Sequence, residues 1–259
     1  VSGIILDGVT VRVDVDGRPE PKTLLQDVSL ELTEQRIGVI GANGSGKSTL
    51  LRLLNGLVLP STGTVTVDGY TTAGAVRDVR RRVGFVFTDP LSQLVMPSGR
   101  EDVELSLRRS VRNPRERRNR AEAALDRFGL LPLADQSIYE LSGGERQLLA
   151  LAAVLAVDPD ILVLDEPSTL LDLRNRELLR RTLRGLSQQV ILSTHDLDLA
   201  LDLDRVLVID SGTVAFDGAA ADAVAHYRAL CGAALPFPGR ETRREADREK
   251  LPDTLREPQ

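Results

Sequence analysis

The sequence predicts an α/β fold built on a mostly parallel sheet, with an antiparallel N-terminal part and an inserted helical subdomain. Three observations lead there. Period-two alternation opens the chain, a charged and helix-patterned stretch interrupts its middle, and short apolar runs alternate with amphipathic segments afterwards. At 259 residues with 42% hydrophobic side chains, the chain can bury a sizeable core.

Taken in order, Ile4, Leu6, Val9, Val11 and Val13 alternate as a strand should, break at Asp16-Gly17, and resume through Val28, Leu30 and Leu32. This reads as an antiparallel entry sheet. Arg36 to Ile40 is a short apolar strand running into the glycine-rich Gly41 to Gly46, and Thr49 to Leu57 then carries helical periodicity through Leu50, Leu53 and Leu54. From Ser98 to Leu141 the chain turns to charged helices. Ser98 and Glu101 have capping-box spacing, Asn113-Pro114 breaks the run, and Ala121, Ala124, Leu125 and Phe128 form a stripe ended by Gly129.

A helix from Ser142, a buried strand Ile161 to Leu164, a helix near Asn175 to Leu186, and strands Val190 to Ser193 and Val206 to Ile209 complete the expected sheet. Residues 1–234 are thus expected to form one domain, with the helical insertion at about 98–141. Residues 235–259 are rich in Arg, Glu, Asp and Pro, cannot bury enough apolar surface to offset their ordering entropy, and are expected to be a mobile tail.

No apolar run approaches the roughly 20 residues that cross a bilayer, so a membrane span is excluded. The N-terminus lacks a basic and apolar export leader, and the single Cys231 fits a reducing compartment; the cytoplasmic side is the expectation. A formal charge of −5 argues against a nucleic-acid surface, and the basic stretch Arg108 to Arg120 reads as a solvated helix and loop.

Gly41-Ala-Asn-Gly-Ser-Gly-Lys-Ser-Thr49 fits G-x-x-x-x-G-K-[ST], preceded by a strand and opening a helix. Such a loop turns backbone N–H groups towards phosphate, so Asn43, Gly44, Ser45, Gly46, Lys47, Ser48 and Thr49 are candidate nucleotide-binding residues. Lys47 would reach the β/γ-phosphates and Ser48 would ligate Mg²⁺. Alone, the motif fits kinases, GTPases and many ATPases.

Ile161-Leu-Val-Leu-Asp-Glu-Pro167 sets two carboxylates at the end of a buried strand. Asp165 is the candidate Mg²⁺ residue there, through water, and Glu166 the group that polarises an attacking water, although an acid at a strand end also serves as a helix cap. Leu141-Ser-Gly-Gly-Glu145 reads as a capping box before a helix, and the amides of Gly143 and Gly144 at that helix start form an anion site.

The order of these three motifs resembles the ABC ATPase family of P-loop NTPases, whose signature is LSGGQ; the likeness covers about Leu6 to Gly218. The resemblance implies binding and hydrolysis of ATP with Mg²⁺, and a dimer in which Ser142, Gly143 and Gly144 of one subunit cover the ATP held by the other. It implies that Asp172, in Ser168-Thr-Leu-Leu-Asp172, helps join the two sites, and that His195, in Ser193-Thr-His-Asp196, orients the γ-phosphate and the water. Three departures stand out. Glu145 replaces the usual Gln, Thr88 in Gly84-Phe-Val-Phe-Thr-Asp-Pro90 replaces a metal-sensing glutamine with Gln93 nearby but off-register, and no adenine-stacking aromatic occurs near Val11 to Val15.

Within the family, Arg36 to Lys47, Leu53 to Gly56, and Phe87 to Pro90 through Met96-Pro97 look similar to the ATPases of energy-coupling-factor (ECF) vitamin importers, the biotin-uptake group above all. The partners so implied are a second ATPase subunit, identical or not, a transmembrane coupling protein and a substrate-binding membrane subunit, with the chain peripheral on the cytoplasmic face of the membrane. No nucleic acid is expected. The alternatives are another ECF importer for cobalt or another vitamin, another ABC transporter, and a soluble ABC protein acting on DNA or ribosomes. The last class carries long coiled coils or paired ATPase halves, which this chain lacks.

Overall fold

A computed structural model describes residues 3–17 and 19–233. The expected tail at 235–259 lies outside the described residues. The chain begins with β1 (Ile4–Val13) and β2 (Lys22–Leu32), paired antiparallel. Their alternate residues Ile4, Leu6, Leu25, Val28 and Leu32 are buried, as a sheet with one wet face requires. Then come β3 (Arg36–Ile40), α1 (Lys47–Leu54), β4 (Thr62–Val67) and β5 (Tyr70–Thr71). The first sheet has the order β2-β1-β4-β5 and is antiparallel throughout.

Next come α2 (Val76–Arg82), β6 (Val83–Val86), α3 (Gly99–Leu107), α4 (Pro114–Asp126) and α5 (Gly143–Leu155). Local sequence sets the starts of the last three. Ser98 caps α3 by accepting from the Glu101 N–H, Asn113 caps α4 from in front of Pro114, and Ser142 with Glu145 closes a full capping box on α5. Val103, Leu107, Ala121 and Leu125 bury into the same core as Leu148, Leu151 and Leu164, so the helical insertion is packed onto the body of the fold.

The chain ends with β7 (Ile161–Asp165), α6 (Leu173–Arg184), β8 (Gln189–Ser193), α7 (Leu197–Ala200), β9 (Arg205–Asp210), β10 (Thr213–Gly218) and α8 (Ala220–Ala233). The second sheet runs β10-β9-β3-β8-β7-β6; all its pairs are parallel except the antiparallel edge β10–β9. β3, β7 and β8 are buried at every residue, which accounts for their unbroken apolar runs. Leu50, Leu51, Leu53 and Leu54 of α1 are buried against one face, where truncation of any one to Ala would cost about 2–5 kcal/mol.

This is the predicted α/β architecture, with two shifted helix starts. α1 begins at Lys47 rather than Thr49, directly behind the left-handed Gly46, and α6 begins at Leu173 because Asp172 caps it by accepting from the Asn175 N–H. The parallel pairing sets the carboxyl ends of β3, β7 and β8 side by side, with Asp165 opposite Ser193 and Val39 opposite Ser193 from the other side. Open parallel sheets place their ligands at this edge.

Candidate functional site

The loop after β3 wraps the start of α1. Gly44 has φ +77 and Gly46 φ +117, conformations that L side chains rarely adopt. A Cβ on Gly44 would meet nothing within 4 Å, whereas one on Gly46 would lie 2.9 Å from both Leu24 O and Leu25 Cδ2. Gly44 therefore opens onto free space, while Gly46 lets the loop lie against β2. The cleft above this loop has a volume of roughly 510 Å³ and is lined by Asn43, Gly44, Gly46, Lys47, Ser48 and Thr49, with Lys22 and Leu24 of β2, Thr88, Glu166, Thr169 and His195. Ser45 is buried, its hydroxyl lacking a hydrogen-bond partner.

Lys47 is buried and its Nζ donates to the carbonyls of Gly41 (2.9 Å) and Ala42 (3.1 Å). Burial pushes its pKa below the ordinary lysine value, and the nearby carboxylates of Glu166 and Asp165 push it back up. The Ser48 hydroxyl donates to Asp165 Oδ1 at 2.9 Å, and Ser193 Oγ donates to the same oxygen at 2.8 Å. Two hard oxygen donors, one of them a carboxylate, suit Mg²⁺, which takes one or two carboxylates together with phosphate oxygens and water.

Glu166 leaves the end of β7 with φ +52, a conformation unusual for a side-chain-bearing residue and typical of places where function holds the backbone under strain. Its N–H donates to Ser193 Oγ at 2.9 Å, and its Oε2 accepts from the His195 N–H at 3.2 Å. Oε1 is buried and accepts no hydrogen bond, although His195 Nε2 lies 3.0 Å away and Lys47 Nζ 3.8 Å away. Burial raises the Glu166 pKa above the usual carboxylate range; His195 and Lys47 draw it down less than burial lifts it, and Asp165 adds to the rise. A partly desolvated carboxylate lining the cleft is a candidate proton acceptor.

The remaining predicted residues, Thr88 apart, lie outside the cleft. Ser142, Gly143 and Gly144 do not line the cleft of their own chain. Glu145 is committed to α5, its Oε2 accepting from the Ser142 N–H at 2.7 Å. Asp172 is exposed at the head of α6. Thr88 lines the cleft but Gln93 does not; Gln93 instead accepts from the Phe87 N–H at 3.3 Å and donates to Ala150 O at 3.2 Å, fastening the Thr88 loop to α5. Sequence reasoning passed over Ser193, although it stands in the quoted Ser193-Thr-His-Asp196, because a serine at a buried strand end carries no signal until its partners are seen.

A family model described as ABC transporter matches residues 25–169. The chain belongs to the ABC transporter family and carries its ATPase domain. This ABC ATPase is 46% identical to the biotin transport ATP-binding protein BioM of Rhizobium etli over 209 residues, covering 81% of this chain and 93% of that one. It is 39% identical to the energy-coupling factor transporter ATP-binding protein EcfA1 of Lactiplantibacillus plantarum, covering 83% and 78%. Among solved structures, the ATP-binding cassette MJ0796, a dimer in a post-hydrolysis state bound to ADP and Pi, matches with a TM-score of 0.77 at 30% identity, covering 84% of this chain and 98% of that one. CbiO1 from Clostridium perfringens, part of the ABC transporter complex cbiONQ, matches with a TM-score of 0.73 at 28% identity, covering 91% and 95%. Among the described residues of this ABC ATPase, no helix is long and apolar enough to cross a membrane.

Proposed function

We propose that this chain is the ATP-hydrolysing subunit that energises uptake through an ECF-type membrane transporter, with biotin as the cargo. One observation carries the reading: a single cleft gathers Lys47, Ser48, Glu166 and His195, while the signature residues Ser142 to Gly144 lie outside it. A phosphate cradle with a poised carboxylate can hydrolyse a nucleotide, and a signature loop absent from its own cleft is free to close a second one.

In this reading residues 1–234 are the ATPase domain, with 98–141 its helical subdomain. The amides of residues 43–49 and Lys47 hold the phosphates, and the Glu166 carboxylate accepts the proton of the attacking water. His195 stands beside that carboxylate and orients water and γ-phosphate. Ser48 and Asp165 would hold Mg²⁺, which when bound neutralises charge on the phosphate oxygens. Ser142, Gly143 and Gly144 of a second ATPase subunit complete the site, with Asp172 joining the two. ATP closes the pair and hydrolysis reopens it, moving helices of a membrane partner docked near Thr88 to Gln93 on the cytoplasmic face. The biotin assignment rests on the likeness to BioM; no residue of the ATPase touches the cargo in this scheme.

The test is to isolate the tagged chain from mild-detergent membranes and identify its companions by mass spectrometry. A coupling membrane protein with a biotin-binding subunit supports the whole reading. A different cargo-binding subunit keeps the mechanism and removes biotin, and recovery with ribosomes or DNA factors alone rejects membrane coupling.

A further inference from the structure

We propose that Tyr139 provides the aromatic surface on which the base of ATP stacks, acting across the dimer on the nucleotide held by a second copy of this chain. The inference rests on the two-subunit ATPase reading above and assigns the base subsite within it. Among the described residues the cleft around Lys47 is lined by no Phe, Tyr or Trp, and its β1–β2 side offers Lys22 and Leu24, with Val13 paired to Lys22 at the strand ends. On that side the described residues offer a purine aliphatic chains and no aromatic ring.

Among the described aromatics, Tyr139 alone stands free. Phe85 and Phe128 are buried, Phe87, Phe216 and Tyr227 pack against the cores, and Tyr70 lies under the Arg82 guanidinium at 5.1 Å from its ring centre. Tyr139 is 75% exposed, yet its backbone is tied down on both sides. The Ile138 N–H donates to Pro97 O at 3.0 Å, the Glu140 N–H donates to Ser137 O at 2.9 Å, and Ile138 and Leu141 are buried. A ring held in solvent by a fixed turn loses little conformational freedom on stacking, which favours a contact made in a complex.

The position relative to the signature fits. Tyr139 precedes Ser142 by three residues, and three residues of chain reach about 10 Å at most. That is the order of the distance from the terminal phosphate to the base in an extended nucleoside triphosphate. With Ser142 on the γ-phosphate of the partner's nucleotide, Tyr139 comes within range of its base. An aromatic face stacks on a base without reading its edge, so this subsite would add affinity with little selectivity among purines.

The chain contains no tryptophan, so Tyr139→Trp introduces a single indole. In the full chain carrying Glu166→Gln to slow hydrolysis, ATP should quench that indole as the dimer forms, and inorganic tripolyphosphate, which lacks a base, should not. Tyr139→Ala should raise the ATP concentration for half-maximal dimerisation, and KM, about tenfold, with kcat held and Tyr139→Phe restoring both. An unquenched indole with unchanged KM in Tyr139→Ala, while the wild type dimerises with ATP, overturns this inference and leaves the ATPase reading intact. Loss of membrane-partner binding in Tyr139→Ala with unchanged ATP dependence also overturns it, assigning the ring to a protein contact. Absence of any ATP-dependent dimer in the wild type overturns both.

Discussion

Ser193 Oγ donates to Asp165 Oδ1 at 2.8 Å and accepts the Glu166 N–H at 2.9 Å, so one fully buried hydroxyl fixes both acids of the cleft. Ser193→Ala leaves a buried N–H unpaired and frees the strained Glu166 backbone to shift. We expect a loss of about 1–3 kcal/mol of stability in urea unfolding, and a larger fall in ATP turnover than in ATP affinity. Wild-type turnover in this variant would remove Ser193 from the account.

Lys47 holds the carbonyls of Gly41 and Ala42 in this structure and lies beside Glu166. Its ammonium is a cation placed for phosphate within the glycine-rich loop. Lys47→Ala is expected to weaken ATP binding about tenfold or more by calorimetry, since charge-assisted hydrogen bonds to phosphate are lost. Equal affinity would contradict the assignment.

The two loop glycines separate strain from clash. Gly44→Ala meets no atom within 4 Å and should cost only the left-handed backbone penalty, about 1 kcal/mol. Gly46→Ala drives a methyl to 2.9 Å from the Leu24 carbonyl and should destabilise the chain further, with a lower Tm than Gly44→Ala. Equal melting temperatures would show that the loop is not packed on β2 as described.

The raised pKa of Glu166 makes stability depend on pH. Above both its folded and its unfolded pKa the buried carboxylate is ionised and destabilises the fold; below both it is neutral and the penalty is gone. Without nucleotide, Glu166→Gln should therefore raise Tm at neutral pH, by roughly 2–4 °C for each kcal/mol relieved. The gain should shrink as pH falls through the folded pKa. For catalysis the same rise places the acid limb of ATP turnover above the ordinary carboxylate range, checked by a pH–rate profile.

Much of this was legible in the sequence because the phosphate loop, the Asp165-Glu166 pair and the signature are contiguous runs whose local geometry follows from residue type. Helix caps at Ser98 and Ser142 read directly for the same reason, whereas Asn113, read as a break in the run, is itself the cap of α4. The short β4 and β5 escaped notice because Thr, Gly and Tyr give them no clear apolar period, and α7 is a single turn set by the Asp196 cap. Ser193, Lys22 and Leu24 join the site only through sheet pairing and the fold of β2 over the loop. Gln93 was a nearby amide in sequence; its two hydrogen bonds, to Phe87 and Ala150, make it a fastening for the Thr88 loop.

Steady-state phosphate release by Glu166→Gln at saturating ATP tests most directly whether Glu166 takes the proton of the attacking water. The prediction is a fall of about a hundredfold or more with ATP binding retained, because the general base is removed while the phosphate cradle stays. Turnover equal to that of the wild type would contradict it.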